Sequence, residues 1–113
     1  MLAGFAVVAL APATSVLAHH GWGEYDSSRL LTLTGSVKEF DYANPHGTLR
    51  LATPDKTWFV ILAPPSRMES RGLPRDAVKI GDQITVEGHA SRSKVDELRA
   101  ERVHVAGKVV ELR

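Results

Sequence analysis

The residues best suited to chemistry stand where an apolar run gives way to a polar chain. "AHHGW", Ala18–Trp22, places two adjacent histidines behind a small residue, with a tryptophan two positions on. If the chain is cut after Ala18, His19 becomes its first residue. A terminal histidine presents an α-amino group and an imidazole together. These titrate at about 8 and about 6.5, so near neutral pH the imidazole is largely a neutral donor and the amine can yield its proton to a bound metal. Two metal geometries follow. In one, the amino nitrogen and imidazole of His19 chelate the ion and a distant histidine completes a T-shaped set. In the other, the amino nitrogen, the deprotonated amide of His20 and the His20 imidazole bind in one plane. Tetragonal nitrogen sites suit Cu(II), which heads the divalent affinity order. The competing reading is a polar arm whose histidines hold nothing specific.

Of the remaining three histidines, His46 is the candidate distant ligand. It lies in "ANPHG", Ala43–Gly47, where Asn-Pro followed by Gly marks a turn, and loops carry function out of proportion to their length. Asp41 and Asn44 are placed to orient its ring, although Asn44 serves equally as a turn former, and a turn histidine also caps backbone carbonyls. His89 ends "ITVEGH"; strand phase sets Ile84, Val86 and Gly88 on one face and His89 with Glu87 on the other, expected to face solvent. His104 alternates with Val103 and Val105, so it is expected to pair with Glu101 or Glu111 or to lie on the surface. The candidate metal set is therefore His19, His20 and His46, with copper the expected ion.

Whether His19 is a terminus depends on residues 1–18. "MLAGFAVVALAPATSVLA" carries no charge, is apolar from Leu2 to Ala11, and ends in "VLA" with small residues at the two positions a signal peptidase reads. This is the layout of a cleaved secretory signal. Pro12, Thr14 and Ser15 leave the run short of the roughly 20 apolar residues that a membrane anchor needs. No basic residue precedes the apolar core, which points to a start upstream of Met1. The expected organisation is a signal peptide at 1–18, an arm at 19–30 and one domain at 31–113. Export to the periplasm or beyond follows, with no stable membrane anchor after cleavage.

The domain that must position the histidines reads as β-structure. "LLTLTGSVKEFDY" alternates at Leu31, Leu33 and Val37, with Gly35 suggesting a bulge or sharp bend. "TLRLAT" puts Leu49 and Leu51 on one face. "TWFVILA" is apolar on both faces and reads as a central strand containing a core Trp58. Pro64 and Pro65 open a short helix that Gly72 closes. Ile84 and Val86 alternate after the Gly81-Asp82 turn. Two more runs, Ala100–Val105 and Val109–Leu112, hinge at Ala106-Gly107-Lys108. The expected fold is all-β: a small five- to six-stranded antiparallel barrel with one short helix between the third and fourth strands, in the order of an OB-fold, with a split sandwich as the alternative. Trp22 is expected to plug the arm onto the barrel, and Asp96-Glu97 to form a solvated tip.

Composition narrows the function. The 113 residues include 14 Lys+Arg and 13 Asp+Glu, too even a balance for nucleic acid or an acidic surface. There is no cysteine, which removes thiol catalysis, zinc fingers and disulfides. No nucleophile-elbow or zincin motif is present. An enzyme is not expected.

Four short motifs stand in order along the chain: "HHGW" at His19–Trp22, "NPHG" at Asn44–Gly47, "VEGH" at Val86–His89 and "AERVHVAGK" at Ala100–Lys108. In these the chain resembles a family of small exported bacterial proteins of unknown function. The resemblance covers nearly all of residues 19–113. It implies export and an OB-like barrel, and it implies no reaction. Two readings of function stay open. One is an exported copper-binding module of carrier or accessory type, with a metal ion and an exported or membrane protein as partners. The other is an OB-like domain that binds a ligand or a protein without metal.

Overall fold

The computed structural model describes Gly4 and residues 21–113. Gly4 apart, the segment expected to be cleaved lies outside the described residues, and so do His19 and His20.

Six strands and one helix follow the arm: β1 (Leu31–Asp41), β2 (Thr48–Ala52), β3 (Thr57–Ile61), α1 (Pro65–Ser70), β4 (Gln83–Ala90), β5 (Glu97–Val105) and β6 (Lys108–Glu111). The sheet runs β3-β2-β1-β4-β5-β6, and β3 also pairs with β5. That last pairing closes five strands into the ring β1-β2-β3-β5-β4, the OB order, with β6 added as a hairpin on β5. The closing pair is parallel, unlike the expected all-antiparallel barrel. A parallel pair needs a crossover, and α1 with β4 supplies it.

The barrel is filled from alternate positions. Val37, Leu49, Leu51, Val60, Ile84, Val86, Val103 and Val105 are buried as expected, Trp58 among them, while Leu33 is partly buried against the same core. Strict alternation breaks twice. In β1 the pairing with β2 skips Lys38 between Val37 and Glu39, so Val37 and Tyr42 both point inward. In β5 the extra residue is Glu101, because Ala100 faces Gly88 and Arg102 faces Glu87. Leu98 and Ala100 precede it inside, and Val103 and Val105 follow it inside. Each bulge adds one residue to one strand and so reverses its phase.

Gly35 sits at a crossing of strands. β1 pairs with β4 over Leu31–Ser36 and with β2 from Ser36 onward. A Cβ at Gly35 would lie 2.2 Å from the Ala52 carbonyl oxygen, and one at Gly88 the same distance from that of Arg99. Both positions need a residue without a side chain because backbone passes too close. What Gly35 marks is this close backbone approach, and the bulge lies three residues later, at Lys38.

Pro65 begins α1 and Gly72, at φ 94°, follows its end. The helix seals one end of the barrel with Met68, which is fully buried. Its arginines cap β6: Arg67 donates to the Leu112 carbonyl at 3.1 Å and Arg71 to that of Glu111 at 3.0 Å.

Candidate ligand-binding groove

The arm folds back across the outside of β4 and β5. Residues Trp22–Glu24 make one 3-10 turn, Tyr25 forms a bridge with Ser91, and the Asp26 amide donates to the Ala90 carbonyl at 2.8 Å. Tyr25 is buried and its hydroxyl donates to Glu97 Oε2 at 2.7 Å. Burial, then the Glu97 carboxylate, push this phenol well above its ordinary range, so it stays a donor. Trp22 packs against His89 at 6.0 Å between ring centroids, with the guanidinium carbons of Arg99 and Arg113 at 4.6 and 4.3 Å. Nε and Nη1 of Arg99 are buried with no hydrogen-bond partner among the described residues. The ring faces of Trp22 and Tyr25 are what this cation meets instead. Trp22 thus fixes the arm, as expected of a plug.

The arm corrects two expectations, and β4 changes the pairing expected of His104, whose side chain stays partly exposed. His89 is on the outer face but is buried, because the arm lies on it. Its Nδ1 faces the carbonyls of Asp26 and Arg29 at 3.1 and 2.8 Å, which leaves that nitrogen only a donor's role. Glu97 is no solvated tip, being held beneath Tyr25, whereas Asp96 is exposed. His104 pairs with neither Glu101 nor Glu111; its Nε2 meets Glu87 Oε2 at 2.5 Å on the neighbouring strand. Glu101 bonds Arg113 at 2.8 Å, and Glu111 bonds Arg102 at 2.9 Å.

Beyond the arm's edge the outer face lies open as a groove. Strand register lines up Glu39, Arg50, Phe59 and Glu97 in one row across β1, β2, β3 and β5, and Asp41, Thr48, Ile61 and Arg99 in the next. Two cavities adjoin there and share Thr48 and Phe59. The larger, about 370 Å³, also takes in Glu39, Asp41 and Arg50. The smaller, about 180 Å³, is bounded by Tyr25, His46, Ile61, Lys94 and Glu97. Arg50 bonds Glu39 at 2.8 Å and lies over Phe59, 4.8 Å from the ring centroid. Lys94 stands 3.8 Å from Glu97. The β1–β2 loop supplies His46, which follows a cis Asn44-Pro45 bond, and the β4–β5 loop supplies Lys94.

Of the three candidate ligands, the structure therefore places only His46, which bounds the smaller cavity together with the arm residue Tyr25. Among the described residues no three histidine or carboxylate side chains are grouped to hold a metal. The groove residues Thr48, Arg50 and Phe59 escaped the sequence reading. "TLRLAT" does carry the signal, since Thr48 and Arg50 alternate with Leu49 and Leu51. Phe59 is hidden because its strand is apolar on both faces.

A family model described as "Family of unknown function (DUF6152)" matches residues 6–99. The chain belongs to the DUF6152 family. Among curated proteins nothing matches this DUF6152 chain. Solved structures do resemble it in fold. TiaS in complex with an isoleucine tRNA and ATP aligns with a TM-score of 0.52 at 17% identity, over 79% of this chain and 20% of that one. Apo TiaS, a tRNA agmatidine synthetase, aligns with a TM-score of 0.51 at 20% identity, over 78% of this chain and 19% of the other. The ZRD-deleted TiaS mutant with agmatine gives a TM-score of 0.51 at 19% identity, over 78% of this chain and 25% of that one. The DUF6152 chain thus spans a fifth to a quarter of these proteins, and at such identities the likeness is one of fold.

Proposed function

We propose that the protein is an exported, non-enzymatic binding module that takes its ligand in the groove over β1, β2 and β3. The observation that carries this reading is the pair of adjoining cavities sharing Thr48 and Phe59. In OB barrels this face, flanked by the β1–β2 and β4–β5 loops, is where extended ligands lie. A binding role is favoured over catalysis because two of the groove's three carboxylates, Glu39 and Glu97, are engaged by Arg50 and Tyr25, and the third, Asp41, is exposed to solvent at the edge of the larger cavity. Export rests on the apolar segment 1–18 and its small-residue end. Intact mass of material from the periplasm tests it, with a start at His19 expected and retention of residues 1–18 against it. The groove is tested by amide chemical-shift mapping of the mature protein against a neutral oligosaccharide, an oligonucleotide, a tetrapeptide and Cu(II). Shifts centred on Thr48, Arg50 and Phe59 are expected with one of these probes. Shifts only elsewhere would sink the reading.

Copper binding is the second reading, and one observation favours it. His46 and Tyr25 line the same cavity, so the arm that starts at His19 after cleavage and the loop bearing His46 come together. The α-amino group and imidazole of His19, or the terminal nitrogens with His20, would hold one Cu(II), with His46 completing the set. Affinity should fall as pH drops through the imidazole range, since protons compete for the same lone pairs. Adding one residue before His19 moves the amino group away and keeps both imidazoles. Undiminished copper affinity in that protein removes the terminus as a ligand, and an unchanged His46→Ala spectrum removes the loop.

A further inference from the structure

We infer that the groove's ligand is an uncharged saccharide of at least two units, with one ring in the smaller cavity beside Phe59 and Tyr25 and the next over Arg50 and Glu39. The inference rests on the binding-module reading and names the ligand class for it.

Charge disfavours the commoner alternatives. The two cations lining the cavities each face a carboxylate, Arg50 with Glu39 at 2.8 Å and Lys94 with Glu97 at 3.8 Å. Asp41, exposed on the larger cavity's edge, adds a further negative charge. A phosphate or carboxylate ligand would find each of these cations already beside a carboxylate and would have to approach Asp41. An apolar ligand would strip water from Glu39, Asp41 and Thr48 and give nothing back. A sugar hydroxyl both donates and accepts, as the hydroxyl of any serine does. The guanidinium of Arg50 and the carboxylate of Glu39, side by side, offer donors and acceptors to neighbouring hydroxyls.

Shape points the same way. Phe59 is half-buried at the junction of the two cavities, with Ile61 next to it in the smaller one. A pyranose has an apolar C–H face that packs on such a ring while its hydroxyls reach the polar rim, here Thr48, Lys94 and Glu97. At about 180 Å³ the smaller cavity falls below the roughly 300–1,000 Å³ of drug-sized sites, so it admits a single small ring. The larger cavity continues directly from it through Thr48 and Phe59 and takes the next unit.

The experiment is titration of the mature protein with cellotetraose, maltotetraose and chitotetraose, alongside tetragalacturonate and an oligo-dT of four nucleotides, read by calorimetry and amide shifts. At least one neutral tetrasaccharide should bind and shift Thr48 and Phe59, while the two anions bind more weakly. Phe59→Leu keeps an apolar side chain and removes the ring; it should weaken that binding roughly tenfold with melting unchanged. Neutral-sugar binding that Phe59→Leu leaves intact overturns the proposed seat. If tetragalacturonate or oligo-dT binds at Thr48 and Phe59 and no neutral sugar does, the saccharide class is overturned and the groove reading stands. If Thr48 and Phe59 respond to no probe, including a tetrapeptide and Cu(II), both fall together.

Discussion

Tyr25 and Glu97 are 72 residues apart in the chain, and a 2.7 Å hydrogen bond joins them across the outer face of β5. This bond fixes where the arm stops and where the groove begins, since both residues line the smaller cavity. The same contact explains why Glu97 is buried to 9% exposure although it starts a strand next to an exposed loop.

Tyr25→Phe should lower stability by about 1–3 kcal/mol, because it leaves a buried carboxylate without its donor while keeping the ring's packing. Denaturant unfolding measures this. The double variant with Glu97→Gln should recover part of the loss, as both members of the pair are then uncharged. A Tyr25→Phe protein as stable as the parent would mean that the arm is held by Trp22 and the backbone bridge alone.

His89→Ala should loosen the arm more than the barrel. His89 Nδ1 donates to the Asp26 and Arg29 carbonyls, and the ring packs against Trp22. Hydrogen exchange at the Asp26 and Arg92 amides, which bond Ala90 and Glu24 across the arm, should accelerate by at least about tenfold, the local opening becoming easier by more than about 1 kcal/mol. Amides of β2 and β3 should keep their protection. Equal acceleration everywhere would show His89 to be a global core residue instead.

Gly88→Ala should prevent folding or lower stability by about 3 kcal/mol or more, at or beyond the upper end for overpacking. The added methyl would meet the Arg99 carbonyl, and backbone at a strand crossing cannot step aside as a side chain can. Gly23→Ala is the control: nothing lies within 4 Å of its Cβ position, and the arm should accept it. Thermal melting of the pair gives the answer. A stable Gly88→Ala protein would contradict the close crossing of β4 and β5.

Acid should destabilise the protein through the outer face of β4 and β5. Glu87 is held below its ordinary value of 4.5, first by the hydrogen bond from His104 and then by Arg102. Glu101 is held below the same value, chiefly by the hydrogen bond from Arg113. A carboxylate with a depressed folded pKa contributes stability above its unfolded pKa and loses it as pH falls through the folded one. The contribution of these two carboxylates should therefore be constant from neutrality to about pH 5 and decline below 4.5. Glu87→Gln and Glu101→Gln should each flatten that decline, and an unaltered acid limb in the double variant would assign it to other groups.

Much of the barrel was legible because alternation has one physical cause. A strand with one face in a core shows apolar residues at every second position, and Leu49, Leu51, Ile84 and Val86 do so without help from the rest of the chain. Pro65 and Gly72 likewise mark α1 through backbone limits that each residue carries with it. His46 could be placed on a loop for the same local reason. The chain's own order of residues thus determined the strands, the helix, the turn that bears His46 and the barrel class.

Tertiary structure alone decided what those strands present to the outside. Phase said that His89 points away from the core, and only the arm folding back from residues 21–30 turns that outward face into a buried one. Glu97 changes from a solvated tip to a hydrogen-bonded wall for the same reason. The row Glu39, Arg50, Phe59 and Glu97 exists only because three separate pairings, one of them the parallel closure of β3 on β5, bring the four strands into register. Register between distant strands depends on the bulges at Lys38 and Glu101 and on the close passes at Gly35 and Gly88. Those are contacts between segments tens of residues apart, and a periodicity read along one segment carries no information about its neighbour across the sheet.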